Sequence, residues 1–366
     1  MANLSSEQMV EEAEPPRTTP SSPSQTRQNH VEGIDSLRLL LATWVVLHHG
    51  GFIPLRSLVV FLHTPRIIWG IADSLFNGSA AVMAFFAISG FCIHVNFKAG
   101  RHVSLLSYYI RREFRIVPPV LAMFVIGEIT NTFTFMVGTW SLICEEFYYI
   151  LYPLFRVRLV TKGFKKLFIC SVICWIALQL ISPGDKYPFS RGPALTWLVC
   201  ASVWILGAAL AEDVSNGRSF LARLRLSRVK LPIWIWRLLL FLASVGCNLV
   251  IHTTVSVQWV LIPFGWFACL WLEQEIIRFR LRPPKLLFER MGKASYSLYL
   301  SHSFIIAAAW NYKQRHAGSY SVVDIHFLPL SIWVPMIFGV FAFAAIVYFC
   351  VELPSHKLAR YLGKRF

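Results

Sequence analysis

The chain has 366 residues, of which 56% are hydrophobic, and its mean hydropathy is +0.55. A soluble domain of this size would be less apolar, and apolar runs of about 17–25 residues, each long enough to cross a bilayer, recur along the chain. The formal charge of +16 invites a nucleic-acid partner, but its distribution argues against one. We therefore predict an all-α polytopic membrane protein with about ten transmembrane helices.

Residues 1–31 are predicted to form a disordered cytoplasmic tail, because they are rich in Ser, Thr, Pro and Glu and poor in large apolar residues. They also lack the hydrophobic segment of a signal peptide. Residues 32–358 form the predicted transmembrane domain, and 359–366 a basic cytoplasmic tail. The stretch 58–72 is left out of the span count as a re-entrant or interfacial piece. The ten predicted spans are 37–55, 80–97, 116–136, 139–155, 167–182, 194–211, 233–252, 257–272, 295–311 and 330–350.

The basic residues indicate which loops face the cytoplasm. With the N-terminus inside, 29 of the 35 Lys and Arg residues fall on alternate loops or at the inner mouth of the first span. Cytoplasmic loops carry an excess of Lys and Arg, so both termini are predicted to be cytoplasmic. The positive charge is first a topology signal, and it also suits an anionic cytoplasmic ligand.

The first predicted span carries two ionisable residues on one face. Arg38 and His49 are eleven residues apart, which at about 100° and 1.5 Å per residue gives the same helix face and a separation of about 16 Å. Arg38 therefore lies near the cytoplasmic mouth and His49 lies deeper. This suits a substrate whose anionic part stays inside while its reactive part enters the membrane. The alternative is an arginine that snorkels to lipid headgroups and a histidine satisfied by its neighbours.

Two later stretches also place charge at or within a span. In RREFRIVPP, Arg112 and Arg115 are three residues apart and share a helix face. Paired guanidinium groups suit phosphate binding, although membrane anchoring explains them as well. In TWSLICEEFYYILYP, Glu145 and Glu146 are adjacent carboxylates in an apolar span. They point about 100° apart and cannot both face one ligand, so a functional or tightly paired role is expected.

A second intramembrane histidine occurs near the end of the chain. The stretch MGKASYSLYLSHSF has a helix start at Gly292 and Ser295. His302 follows about seven residues, or about 10 Å, into this span. In VELPSHKLAR, Glu352 lies at the inner end of the last span. No segment has the spacing of a metal site or a Gly-rich phosphate loop, so no metal is expected.

Taken in order, these stretches resemble the acyltransferase 3 family of integral membrane acyltransferases. GIDSLRLLLATWVVLHH is similar to the family's opening, with its Arg and His matched by Arg38 and His49. FFAISGFCI is similar to its second span, and RREFRIVPP to its Arg-x-x-Arg element. TWSLICEEFYYILYP, GKASYSLYLSH and VELP resemble later motifs, so that the similarity covers about residues 32 to 358. The chain departs from the family in a very short connection between Thr134 and Trp140, and in SLICEEF where a run like SLSVEEQ is more usual.

The resemblance implies transfer of an acyl group, most often acetyl, from a cytoplasmic acyl-CoA to a hydroxyl on the far side of the membrane. The residues expected to bind the phosphates of acetyl-CoA are Arg38, Arg112 and Arg115. The residues expected to take part in catalysis are His49, Glu145, Glu146 and His302. His49 would act as general base or become acylated itself, and one of the two glutamates would orient it.

The acceptor implied by the resemblance is a sugar hydroxyl on an exported glycan, a lipo-oligosaccharide or another lipid-linked saccharide. A hydroxylated secondary metabolite such as a macrolide is the next choice. The protein is expected to be a multi-pass protein of the cell's inner or plasma membrane, in contact with membrane lipids. Intramembrane Arg, Glu and His also build proton-coupled transporters, which would not turn over acyl-CoA. A silent lipid- or glycan-binding scaffold is a third class, and it would tolerate loss of His49.

Overall fold

We describe the fold from a computed structural model of the chain. The predicted N-terminal tail up to residue 30 and the stretch 58–72 lie outside the described residues. The residues that the structure describes are 31–51, 75–97, 104–130, 139–160, 163–223, 226, 231–251, 253–316 and 328–365.

The described residues are helical and contain no β-strand. A short 3₁₀ turn, Pro188–Arg191, precedes α6, and a π-helical turn, Tyr348–Glu352, joins α12 to α13. The α-helices in chain order are α1 Ile34–Gly50, α2 Gly78–Phe97, α3 Leu105–Thr130, α4 Trp140–Val160, α5 Phe164–Ile181, α6 Pro193–Ser215, α7 Phe220–Arg223, α8 Ile233–Val250, α9 Gln258–Leu281, α10 Leu286–Gly292, α11 Ser295–Arg315, α12 Leu330–Val347 and α13 Leu353–Leu362.

Each predicted span corresponds to one of these helices, but two helices are longer than the apolar pattern indicates. α3 begins at Leu105 and runs through Pro118 and Pro119, whereas the predicted span began at 116. Its added turns carry polar residues, and some of these are buried against other helices. α9 ends at Leu281 rather than near 272 because the carboxylates in its last turns are buried and hydrogen-bonded.

Within the described residues, six helical segments are long and apolar enough to cross a membrane: α2, α5, α6, α8, α9 and the run from α12 into α13. The prediction of ten spans is therefore supported in part. The other four predicted spans correspond to α1, which has 17 residues, and to α3, α4 and α11, which carry charged or polar side chains along their length. These four more polar helices all contribute to the candidate site described below.

Glycine allows α2 and α6 to approach each other closely. A Cβ atom on Gly90 would lie 2.1 Å from the carbonyl oxygen of Trp204, and a Cβ atom on Gly207 would lie 2.0 Å from that of Ala87. Small residues of this kind let membrane helices pack backbone against backbone. The contact fixes the position of α2, whose next residue towards the N-terminus, Ser89, faces the candidate site.

Buried carboxylates of α9 join it to neighbouring helices. Glu275 accepts two hydrogen bonds from Arg237 of α8, at 2.6 and 2.9 Å, and one from Trp271 at 3.2 Å. Glu273 accepts hydrogen bonds from two backbone N–H groups at the start of α7, at 2.7 and 2.9 Å. These contacts explain how a strongly apolar helix keeps two carboxylates in its interior.

The last helix packs on α3 after the π-helical turn. Ser355 donates a hydrogen bond to the backbone of α3, and the carbonyl oxygen of Gly363 accepts one from Ser107 at 2.7 Å. The segment 359–366, predicted to be a basic tail, therefore begins inside α13.

Candidate functional site

A cavity lies among α1, α2, α3, α4 and α11, with an empty volume of about 660 Å³ that includes its part open to solvent. One portion of its wall is apolar and aromatic, as on Phe85 and Phe86, and the rest is polar. The polar residues of the lining that matter here are Arg38, Ser89, Arg112, Arg115, Ser141, Glu145, Tyr149 and Tyr299.

The three predicted phosphate-binding arginines line this one cavity, although they come from two helices. Arg38 extends from α1, and Arg112 and Arg115 extend from α3. The guanidinium group of Arg112 lies 5.4 Å from the centre of the Tyr149 ring, within cation–π range. Cys92 of α2 lines the cavity together with the three arginines. Their convergence gives one part of the cavity a concentrated positive charge.

Glu145 lies in the same wall and is held by hydroxyl groups. It accepts a hydrogen bond from the hydroxyl of Ser89 at 2.6 Å and another from the hydroxyl of Tyr149, one turn along α4. Glu146 does not line the cavity, and its buried Oε1 has no hydrogen-bond partner among the described residues. The two carboxylates diverge because consecutive residues of a helix point about 100° apart.

The two predicted histidines meet between α1 and α11. His302 Nδ1 lies 2.6 Å from the carbonyl oxygen of Tyr299. A carbonyl oxygen only accepts, so this nitrogen carries the proton and Nε2 keeps a lone pair. His49 Nδ1 lies 3.2 Å from His302 Nε2 and 3.1 Å from the carbonyl oxygen of Val45. Both neighbours accept, so the neutral His49 ring is protonated on Nδ1 and its lone pair lies on Nε2.

These contacts differ from the expectation that Glu145 or Glu146 orients His49. Within the described part of the chain, the ring of His49 is hydrogen-bonded to a backbone carbonyl and to His302, which is 253 residues away in sequence. Helix periodicity predicts which face a residue occupies, but it does not predict which helix packs against that face. His302 of α11 makes the contact with His49 that was expected from Glu145 or Glu146.

The members of the histidine pair differ in burial, and neither lines the cavity. His302 is 3% exposed, whereas His49 is exposed. The adjacent His48 is also exposed, and its Nδ1 lies 2.8 Å from the carbonyl oxygen of Phe76. The site thus consists of a basic cavity on one side and an accessible imidazole, supported by a buried one, on the other.

A comparison with protein families decides the class of this protein. The family profile described as an acyltransferase domain, Acyl_transf_3, matches residues 31–351. The chain belongs to the acyltransferase 3 family. No curated protein and no solved structure gives a significant match. The family and the apolar helices together make the chain a membrane acyltransferase, which confirms the resemblance seen in the sequence motifs and favours the enzyme over the transporter.

The acyltransferase has further site residues that sequence reasoning did not assign. Tyr149 follows Glu145 by four residues, a spacing that places both on one helix face. Glu352 is 1% exposed and accepts hydrogen bonds from the backbone N–H and the hydroxyl of Ser297, at 3.2 and 2.5 Å. It also interacts electrostatically with Arg38 and Arg115. The position of Glu352 at the end of an apolar span could have indicated this role, since carboxylates within or beside membrane spans are usually paired or functional.

Proposed function

We propose that this membrane acyltransferase is an O-acetyltransferase that takes its acyl group from acyl-CoA. The acyl-CoA that we propose as its donor is acetyl-CoA. The supporting observation is the convergence of Arg38, Arg112 and Arg115 on a single cavity. CoA carries several phosphate groups, and guanidinium groups bind phosphates through paired charge-assisted hydrogen bonds. The phosphates of the donor would lie at the arginines, and its thioester would extend towards the opposite end of the cavity.

The histidine pair supplies the base for the transfer. The acceptor oxygen forms a bond to the acyl carbon while the thioester C–S bond breaks, and CoA leaves as a thiolate that then takes up a proton. The proton of the acceptor hydroxyl passes to Nε2 of His49, the nitrogen that the contacts of Nδ1 leave with a lone pair. In the alternative route, Nε2 first bonds to the acyl carbon while the thioester C–S bond breaks and CoA leaves as a thiolate. The acceptor oxygen then bonds to the acyl carbon, the C–N bond to Nε2 breaks, and the freed imidazole takes up the proton of the acceptor hydroxyl.

His302 and Glu145 act in this proposal as positioning residues. His302, together with the carbonyl oxygen of Val45, keeps the proton of His49 on Nδ1. Glu145 holds the hydroxyl groups of Ser89 and Tyr149 in the cavity wall. Glu146 does not line the cavity, so we assign it no contact with the donor.

The acceptor would reach the enzyme from the side on which His49 is exposed. With both termini cytoplasmic, as the distribution of basic residues predicts, that side is extracytoplasmic and the arginines face the cytosol. We propose a sugar hydroxyl of an exported glycan or lipid-linked saccharide as the acceptor, with a hydroxylated secondary metabolite as the second choice, and the cell membrane as the location.

Binding of CoA to the purified protein tests the donor site. Arg112→Gln and Arg115→Gln should each weaken binding of CoA about 10- to 100-fold, because a hydrogen bond to a charged group contributes about 1.5–3 kcal/mol. Binding of pantetheine, which lacks the phosphates, should not change. Arg282→Gln is the matched control, since Arg282 is exposed and does not line the cavity. Equal CoA affinity in the wild type and both cavity variants would contradict the assignment.

Release of CoA from acetyl-CoA tests the reaction itself. With a panel of glycan acceptors, acceptor-dependent release that disappears in His49→Ala, while CoA binding persists, is the expected result. Full activity of His49→Ala would remove His49 from the mechanism. Failure of the wild-type protein to bind acetyl-CoA would overturn the proposed donor.

A further inference from the structure

In the part of the chain that the structure describes, the histidine pair lies outside the lining of the cavity. The arginines, Glu145 and Tyr299 line the cavity, whereas His49 and His302 do not. Tyr299 of α11 is the residue that takes part in both: its side chain lies in the cavity wall, and its carbonyl oxygen accepts the hydrogen bond from His302 Nδ1 at 2.6 Å.

The Tyr299 side chain is held across the cavity wall by two neighbours. Its hydroxyl lies 2.6 Å from the hydroxyl of Ser141, at the start of α4, so that one hydrogen bond joins α11 to α4. Its ring packs edge-on against Phe85 of α2, with the ring centres 5.8 Å apart. Ser141 and Phe85 also line the cavity. Side chains from three helices therefore form a partition at this end.

The partition lies at the opposite end of the cavity from Arg112. The Arg112 guanidinium packs on Tyr149, which follows Ser141 by eight residues on α4, and eight helical residues span about 12 Å. The ring of His302, which does not line the cavity, lies 6.0 Å from the ring of Tyr299 and 5.1 Å from that of His49. One layer of side chains thus separates the far end of the cavity from the base.

We propose that Tyr299 is a positioning residue that couples the two halves of the reaction. In the closed arrangement its hydrogen bond to Ser141 keeps the cavity sealed from the side of His49. Movement of the ring opens a path by which the thioester meets the base. The seal protects bound acyl-CoA from water that enters on the acceptor side. This role depends on the proposed acyl-CoA donor, but the partition itself can be tested without any donor.

The donor-free test uses Cys92, a free thiol that lines the cavity. A membrane-impermeant charged thiol reagent is applied to either side of sealed vesicles, and modification of Cys92 is read at the peptide level by mass spectrometry. In the wild type Cys92 should react from one side only. In Tyr299→Ala it should react from both sides. In Tyr299→Phe and Ser141→Ala, which each remove one hydroxyl and with it the hydrogen bond between Tyr299 and Ser141, labelling from the second side should become measurable, at about ten times the wild-type background.

Tyr296→Phe is the matched control. Tyr296 lies one turn before Tyr299 and also lines the cavity, but its hydroxyl bonds to the carbonyl oxygen of Ile116 at 3.2 Å rather than to Ser141. Removing this hydroxyl should leave the one-sided labelling of Cys92 unchanged. Two-sided labelling of the wild type, or one-sided labelling of Tyr299→Phe and Ser141→Ala, would overturn the partition, and these conservative variants decide the question even if Tyr299→Ala fails to fold.

Measuring acyl-CoA turnover then distinguishes a failure of the partition hypothesis from a failure of the proposed donor. Tyr299→Phe and Ser141→Ala should raise CoA release in the absence of acceptor several-fold relative to release in its presence. A change in labelling without any acyl-CoA turnover in the wild type would keep the partition and overturn the donor assignment. Normal turnover with an unchanged release ratio in both variants would overturn the coupling role of Tyr299.

Discussion

Replacing Gly90 with alanine should weaken the contact between α2 and α6. The new Cβ would lie 2.1 Å from the carbonyl oxygen of Trp204, and Cβ atoms essentially never come within 3.0 Å of such a neighbour, so the helices must separate by about 0.9 Å. Overpacking of this kind costs about 1–3 kcal/mol. Alanine offsets part of this cost through its helix propensity, about 0.5–1 kcal/mol. The difference is a net loss of up to about 2.5 kcal/mol, with a central value of about 1 kcal/mol.

The midpoint of thermal unfolding in detergent, followed by tryptophan fluorescence, measures this loss. Gly246→Ala is the matched control, because Gly246 lies within α8 and a Cβ there meets nothing within 4 Å. The control should unfold at the same temperature as the wild type or slightly higher, and Gly90→Ala should unfold lower. If both variants shift equally, the close approach of α2 and α6 does not limit stability and the reasoning is wrong.

The same substitution should also disturb the site. Ser89 precedes Gly90 and donates a hydrogen bond of 2.6 Å to Glu145. A displacement of α2 by about 0.9 Å would move Ser89 relative to Glu145 of α4 and disturb the geometry of this bond. Gly207→Ala acts at the same crossing, so its cost should not add fully to that of Gly90→Ala, since the first substitution already separates the helices.

Further substitutions, centred on Glu145, His302 and Arg237, test the site and the scaffold. Glu145→Gln removes the charge that accepts two hydroxyl hydrogen bonds, and kcat/KM in the CoA-release assay should fall about 10- to 100-fold; an unchanged value would contradict its positioning role. His302→Ala should lower kcat while His302→Gln, whose amide oxygen can accept from His49 Nδ1–H, retains part of it, and equal losses would argue against control of the tautomer. Arg237→Leu removes two of the hydrogen bonds to the buried carboxylate of Glu275 and leaves it with Trp271 and the longer ion pair to Arg278 at 3.8 Å. Because the Arg237 side chain is 46% exposed, the expected loss is reduced to about 1–3 kcal/mol. The double change Arg237→Leu with Glu275→Leu should recover much of the unfolding midpoint.

The helices could be predicted from the sequence because apolar character is a local property. The predicted span at 233–252 and the observed α8, Ile233–Val250, agree closely. Agreement is poorer for α3, where an apolar window could not detect that Tyr108 and Arg112 would be buried by neighbouring helices. Hydropathy reports the average environment of a segment and not the partner of each side chain.

The arrangement of the candidate site was harder to predict because it depends on contacts between distant segments. The sequence identified His49 and His302 as unusual, but their 3.2 Å contact joins residues 253 positions apart. Likewise, Glu145 was expected to have a functional or tightly paired role, and the hydrogen bond that it accepts from Ser89 connects two different helices. Charge within an apolar span identified these residues as candidates for the site. Which of them contact each other depends on how the helices pack.

The π-helical turn at Tyr348–Glu352 has a consequence for the register of the chain's last helix. A π turn inserts one residue into an α-helical path, which rotates everything after it by about 100°. Deleting one residue from this turn would swing Ser355 away from α3 and turn the Gly363 carbonyl away from Ser107. The π-helical turn therefore sets the rotation of α13 relative to α12 so that one face of α13 contacts α3. Glu352, the last residue of the turn, remains hydrogen-bonded to Ser297 at the start of α11.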